Sequence, residues 1–306
     1  MSDAVLAELV RSGVVESQHR GFLLTLNANG SKDFELGDSS HLIFPRSTVK
    51  SFQAAAMVRN GLKLEPRLLA LAASSHSGSA EHQAAVLEIL ALGNLNETHL
   101  QNMLDKPLGE AERRAWGTAA PTRLAMNCSG KHAAMLLTCV TNGWSIENYL
   151  DPEHPLQVAC RTELENLSGE KITLTSTDGC GAPLFLISVA GLARAIRAIT
   201  ISEEECCASV IAASRAFPEM VAGEGRLTTE MMRAVPGLYM KDGVEAVEVA
   251  SLSDGRTLVF KVSDGSLRPF RVLVHAGLKR LGVESPYQRE DVLGGGKPIG
   301  SIRATF

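Results

Sequence analysis

The 306-residue sequence predicts an α+β protein: an antiparallel sheet covered by helices, with a helical lobe beside it. Two observations carry this. Strand-like segments cluster at both ends of the chain, and the stretch between them, about residues 47–235, reads mostly helical. Strands segregated from helices in this way argue against the βαβ alternation of a doubly wound sheet. At the N-terminus, LAELVRSGVV and GFLLTLN read as strands, followed by the turn Asn29-Gly30 and the segment DFELGD. Asn-Gly supplies the positive φ that a tight hairpin turn requires. Near the C-terminus, VEAVEVASL, the turn Asp254-Gly255 and TLVFKVS predict a hairpin. PFRVLVHAGLKRLG then predicts a helix, and SIRATF a last strand.

Between these ends, helices are expected over residues 47–60, 65–73, 80–92, 97–105, 130–141, 155–167, 183–198 and 203–216. Ser202 with Glu205 has the spacing of a capping box before the last of these. No repeat, low-complexity tract or flexible linker breaks the chain, so residues 1–306 read as one domain. A cleft between sheet and lobe is the natural place for a site.

Composition narrows the function classes. Hydrophobic residues make up 45% and charged residues 21%, which suffices for a substantial core. The net charge is -4 and the pI about 6.1, so there is no basic excess to hold a nucleic acid. The opening MSDAVLAELVRSG does not read as a secretory signal. The most apolar stretch, LFLISVAGLARAIRAITI, carries Arg194 and Arg197 and reads as a helix with a polar edge, not a membrane span. Six cysteines without a secretory signal predict reduced thiols and a cytoplasmic protein. The vicinal Cys206-Cys207 pair falls on a predicted helix and reads as structural.

Several short stretches carry candidate chemistry. In PRSTVK, Ser47 and Lys50 stand one helical turn apart at a predicted helix N-terminus. Such a serine is a nucleophile if a neutral lysine takes its proton, and an N-cap if none does. LAASSHSGSAEH crowds Ser74, Ser75, His76, Ser77 and Ser79 at the end of an apolar run, as either an active-site loop or a solvated helix cap. NCSGKH and TDGCG place Cys128 and Cys180 in Gly-containing loops beside Lys131, His132 and Asp178. Two thiolates and a third ligand suit zinc, but no CxxC spacing is present, and two buried thiols are the alternative. In GEGR, Glu224 suits an ammonium and Arg226 a carboxylate, unless the segment is a surface turn. GGGKPIG has the wrong order for a P-loop. There is no G-x-S-x-G elbow and no H-E-x-x-H helix.

Taken in order, PRSTVKSFQA, SSHSG, NCSGKHAAML, TDGCGAP, PEMVAGEGR, the lysine of YMKDGVEA and GGGKPIGSIR resemble the Rhizobium-type L-asparaginases, from about Arg11 to the C-terminus. The resemblance implies a fold similar to serine β-lactamases and glutaminases, and hydrolysis of L-asparagine to L-aspartate and ammonia. It implies two serine–lysine tandems, Ser47 with Lys50 and Ser75 with Lys241, the second joining residues that no spacing links. It also implies a metal site, expected to hold zinc, at Cys128, Lys131 and Cys180, with Arg46 and Asp178 close to the substrate; Glu224 is expected behind Asp178. A homodimer is expected on the same ground. Rival readings are a glutaminase, a β-lactam-directed hydrolase, a zinc-hydroxide amidohydrolase and a non-catalytic amino-acid-binding relative.

Overall fold

The computed structural model describes residues 3–286 and 289–306. Its main sheet has eight strands, all antiparallel: β1 (Ala4–Arg11), β2 (Val14–Leu26), β3 (Lys32–Leu36), β8 (Tyr239–Gly243), β9 (Val247–Ser251), β10 (Thr257–Val262), β11 (Asp291–Gly294) and β12 (Lys297–Ala304). The order is β11-β12-β1-β2-β10-β9-β8, with β3 also paired to β2. Two short ribbons lie outside it: β4 (Leu42–Ile43) with β7 (Ile187–Ser188), and β5 (Thr175–Thr177) with β6 (Pro183–Phe185).

The helices are α1 (Lys50–Arg59), α2 (Pro66–Ala72), α3 (Ala80–Leu92), α4 (Glu110–Trp116), α5 (Ser129–Asn142), α6 (Pro155–Ser168), α7 (Val189–Ile201), α8 (Glu205–Ala216), α9 (Pro218–Val221), α10 (Leu227–Ala234) and α11 (Phe270–Arg280). This is the α+β arrangement expected from the sequence, with both chain ends in the sheet. Strand β10 is buried on both faces, so the sheet is covered twice. On one side α11 lies close: a Cβ at Gly277 would run into Leu258, and the Phe260 and Phe270 rings stand 5.3 Å apart edge to face. Helix α7 covers the other face.

Local differences from the sequence reading have physical reasons. LAELVRSGVV is not one strand. Ser12 and Gly13 both take positive φ (47° and 84°) and form the two-residue turn between β1 and β2. GGGK is likewise a hairpin turn, with Gly295 and Gly296 at φ 53° and 78° between β11 and β12. The helix expected over 183–198 begins only at Val189. Pro183–Ser188 is extended, and the Ser188 side chain caps α7 by accepting from the Gly191 N–H at 2.8 Å. Residues 97–105 contain only a three-residue 3₁₀ turn. The Ser202–Glu205 capping box does not form, because Glu204 is the N-cap of α8 and makes no side-chain cap bond.

Candidate active site

Three segments meet where α1 begins. Residues Arg46–Val49 form a 3₁₀ turn leading into α1, which starts at Lys50. Ser74–Ser77 runs extended after α2, with Ser75 N–H donating to Val221 O at 2.9 Å and His76 N–H to Asn127 O at 3.1 Å. Lys241 is the central residue of the edge strand β8. The β8–β9 turn packs on the 3₁₀ turn, so a Cβ at Gly243 would come within 3.1 Å of Pro45 O and 3.4 Å of Arg46 Cβ. That approach sets β8 against the start of α1.

The two lysines converge on one hydroxyl. Lys50 Nζ and Lys241 Nζ each stand 2.9 Å from Ser75 Oγ. Lys50 also donates to Ser74 O at 2.6 Å and to Cys128 Sγ at 3.0 Å. Lys241 also donates to Asp242 O at 2.7 Å and Oδ1 at 3.0 Å. Both amines are buried. Burial pulls Lys241 down from its ordinary 10.5 to about 8; the Asp242 carboxylate opposes this, and the Lys50 and Arg226 cations reinforce it. Against its own burial, Asp242 is held below the carboxylate range by Lys241 and Arg226. The direct Ser47–Lys50 hydrogen bond that the spacing suggests is not made. Among the described residues Ser47 Oγ has no hydrogen-bond partner, because the Lys50 side chain swings away to Ser75. Ser47 is nonetheless nearly buried, beside Lys50 in the chain.

Arg226 and Glu224 part company. The Arg226 guanidinium turns inward and donates to Ser75 O and to Asp242 Oδ2, each at 2.6 Å. It braces the backbone of Ser75 and the anchor of Lys241, so its charge is already engaged by protein groups and not open to a carboxylate ligand. Glu224 lies between Gly223 and Gly225, both at positive φ, and points to solvent, where it accepts from Arg233 at 2.7 Å through each oxygen. The expectation that Glu224 backs Asp178 is therefore corrected.

Arg46 and Asp178 are brought together. Arg46 Nε donates to Asp178 Oδ1 at 2.8 Å, with both side chains mostly shielded. Arg46 holds a left-handed φ of 53°, a conformation that costs a non-glycine residue free energy and is retained where surrounding structure enforces it. Asp178 sits on the loop of the β5–β6 ribbon, closed by Asp178 N–H to Ala182 O and Gly181 N–H to Asp178 O. A cleft of about 710 Å³ opens at Arg46, with Phe44, Ser176, Thr177, Glu245 and Lys261 among its walls.

The same ribbon loop carries Cys180 toward the start of α5, where Cys128 is the N-cap residue and Lys131 lies in the first turn. Lys131 Nζ stands 3.3 Å from Cys180 Sγ. The close approach of α5 to α2 fixes this: a Cβ at Gly130 would come within 2.7 Å of Leu71 O. The two buried thiols are driven apart. Cys180 falls well below the usual thiol range, first through the Cys128 S–H and then through Lys131 and His132, while Cys128, keeping the shared proton, rises well above it. Although burial pulls Lys131 down, the two sulfurs and Asp178 raise it above its ordinary value. Two thiols and an amine converging in a dry site are a donor set that fits a soft dication such as zinc, once Lys131 gives up its proton.

A profile of the L-asparaginase II family matches residues 7–304. The chain belongs to the L-asparaginase II family. It is thereby an asparaginase-type amidohydrolase acting on a small molecule. No curated protein sequence matches the chain. Among solved structures it is similar to a candidate beta-lactamase from Bacteroides dorei (14% identity, 85% of this chain and 93% of that one, TM-score 0.47). A beta-lactamase from Mycobacterium bovis matches at 14% identity, over 86% and 95% of the two chains, with a TM-score of 0.40. A peptidoglycan synthesis regulatory factor from Streptococcus pneumoniae matches at 13%, over 100% and 87%, with a TM-score of 0.43. No described helix is long and apolar enough to cross a membrane.

Proposed function

We propose that this family member hydrolyses L-asparagine to L-aspartate and ammonia by serine nucleophilic catalysis. The observation that carries the proposal is the Lys50–Ser75–Lys241 chain, in which one hydroxyl links two buried amines at 2.9 Å on either side. Ser47, whose Oγ has no hydrogen-bond partner among the described residues, attacks the side-chain amide carbon. Lys50 accepts its proton while passing one through Ser75 to Lys241. The C–N bond breaks as the leaving nitrogen takes a proton and departs as ammonia. Water then cleaves the aspartyl ester on Ser47 and regenerates the serine. Burial first, and then the neighbouring cations, bring Lys241 down to about 8, so it is the amine that can take up a proton near neutral pH.

The Arg46–Asp178 pair supports an α-amino acid as substrate. A fixed cation beside a fixed anion is complementary to the carboxylate and ammonium of a zwitterion. On this reading the substrate's carboxylate engages Arg46 and its ammonium engages Asp178. When zinc is bound, Cys128, Lys131 and Cys180 would hold it, and the ion supplies a positive charge that tethers the two loops flanking the substrate. Cytoplasmic location and a homodimer are part of the same proposal.

A second reading has one observation in its favour: both lysine amines hydrogen-bond to Ser75 Oγ and neither to Ser47 Oγ. In that case Ser75 carries the acyl group and Lys241 is its base. The two are separated by measuring ammonia release from L-asparagine and, separately, L-glutamine, with wild type, Ser47→Ala and Ser75→Ala, each with and without chelator. Release from asparagine that Ser47→Ala abolishes, with an acyl-enzyme mass adduct accumulating in wild type, supports the first reading. An adduct that persists in Ser47→Ala and vanishes in Ser75→Ala supports the second. Release that survives both variants and stops on chelation moves the chemistry to the metal, and binding with no release from either amide leaves an amino-acid-binding relative.

A further inference from the structure

The helical lobe carries a second group of ligating side chains, away from the residues above. Glu163 on α6 and the vicinal Cys206 and Cys207 in the first turn of α8 are all buried, with one ligand atom of each within 4.8 Å of the others. Cys206 Sγ stands 3.9 Å from Cys207 Sγ, Cys207 Sγ 3.7 Å from Glu163 Oε1, and Cys206 Sγ 3.9 Å from Glu204 Oε2. With Zn–S near 2.3 Å and Zn–O near 2.0 Å, tetrahedral edges are about 3.8 Å between sulfurs and about 3.5 Å between sulfur and oxygen. These three spacings exceed those of a filled site by only a few tenths of an ångström, within the reach of small χ adjustments.

The surroundings fit a ligand set as well. Arg59 donates to both oxygens of Glu163, at 2.8 and 3.1 Å, and to Glu204 at 2.7 Å. Ligating carboxylates are commonly oriented by such a donor behind them, and the guanidinium offsets part of the anionic charge of two thiolates and two carboxylates. A cleft of about 420 Å³ lined by Arg59, Lys63, Glu204 and Cys206 leads in from solvent. Oxidation to a disulfide is the poorer use of this pair. Consecutive Cα atoms lie about 3.8 Å apart, short of the roughly 4.4–6.8 Å that a disulfide spans, so the bond would break the first turn of α8.

We propose that Cys206, Cys207 and Glu163, with Glu204 reaching the fourth position, bind a thiophilic dication of the zinc class. The site shares no residue with the Cys128–Lys131–Cys180 cluster, and a bound ion would tie α6 to α8. The test is a cadmium titration of full-length protein stripped with chelator, read by thiolate-to-cadmium charge-transfer absorption and native mass spectrometry. Wild type, Cys180→Ala, Cys206→Ala, Cys207→Ala and Glu163→Gln are compared, each checked for folding by circular dichroism. Cys206→Ala and Cys207→Ala are expected to bind one cadmium fewer than wild type, and Cys180→Ala to keep this charge-transfer band. Glu163→Gln keeps an acceptor for Arg59 but loses the anionic ligand, and should weaken the site by about 10- to 100-fold or more. Equal stoichiometry in wild type and folded Cys207→Ala overturns the proposal, as does loss of all cadmium binding in Cys180→Ala. Should neither cysteine variant fold, unchanged cadmium affinity in Glu163→Gln overturns it.

Discussion

Replacing Lys241 with Met should inactivate the protein and at the same time make it more stable. The lysine is wholly buried, and burial brings it from 10.5 to about 8. That gap corresponds to about 3 kcal/mol of destabilisation while the group is charged. Met fills a similar volume with no charge. Losing the amine's three hydrogen bonds, one to Ser75 and two to Asp242, costs about 2 kcal/mol, and Asp242 keeps Arg226 as its partner. The net gain at pH 7 is therefore about 1 kcal/mol. Below pH 8 the lysine is protonated in both folded and unfolded chains, so the wild type bears the whole cost. Between pH 8 and 10.5 the unfolded chain keeps a proton that the native lysine has lost, and wild-type stability rises with pH. The advantage of Lys241→Met should accordingly shrink across that window. Urea denaturation at pH 7 and pH 10, with ammonia release measured in parallel, reads both effects. A variant less stable than wild type by the same amount at both pH values would refute the reasoning, since it would make Lys241 a net structural asset.

Other perturbations test separate parts of the structure. Arg46→Gln and Asp178→Asn should each lower kcat/KM for asparagine by about 10- to 100-fold, mostly through KM, because each removes one half of a charge pair that matches the zwitterion; steady-state kinetics would show this, and an unchanged KM would count against it. Asparaginase activity should rise on the alkaline side as Lys241 loses its proton near pH 8, and a pH–rate profile flat from pH 6 to 9 would speak against a lysine base. Glu248 is buried and burial raises it well above the carboxylate range, so the native state holds a proton that the unfolded chain releases above about pH 4.5. Wild-type stability falls with pH through that group's range, and Glu248→Gln should be the more stable protein at pH 7, with the difference closing towards pH 4 in thermal melts. Gly21→Ala would drive a Cβ into the backbone carbonyl of Lys261 on the neighbouring strand; the variant should lose about 1–3 kcal/mol, seen as a lower unfolding midpoint.

Much of the fold was legible because the sheet's strands announce themselves by alternation and by Asn-Gly and Asp-Gly turns. What escaped was local. Ser12-Gly13 looked like part of a strand, since serine at positive φ is uncommon. Pro183–Ser188 shares its apolar character with the helix that follows, and periodicity cannot separate a short buried strand from a helix end. Helices α4, α9 and α10 are short and lie in polar, glycine-punctuated sequence. For the site, Ser47 and Lys50 could be picked out by spacing, but the direction of the Lys50 side chain could not. It is set by Ser75, whose neighbour Lys241 lies 166 residues further along. Nothing in the string GEGR distinguishes the inward Arg226 from the outward Glu224. The outcome depends on Asp242 and Arg233, which the fold brings to opposite sides of that loop.

Strand β1 hydrogen-bonds to β12, with Ala7 opposite Ala304, and Lys241 comes from the opposite edge of the same sheet. Ser75 and Lys50 lie only 25 residues apart and can meet through local helix packing. The second amine lies 166 residues beyond Ser75 and reaches the hydroxyl only when strands far apart in the chain have paired. Contacts this distant in sequence make folding slow, so the complete Lys50–Ser75–Lys241 chain should form with the slowest, most non-local step in assembling the sheet.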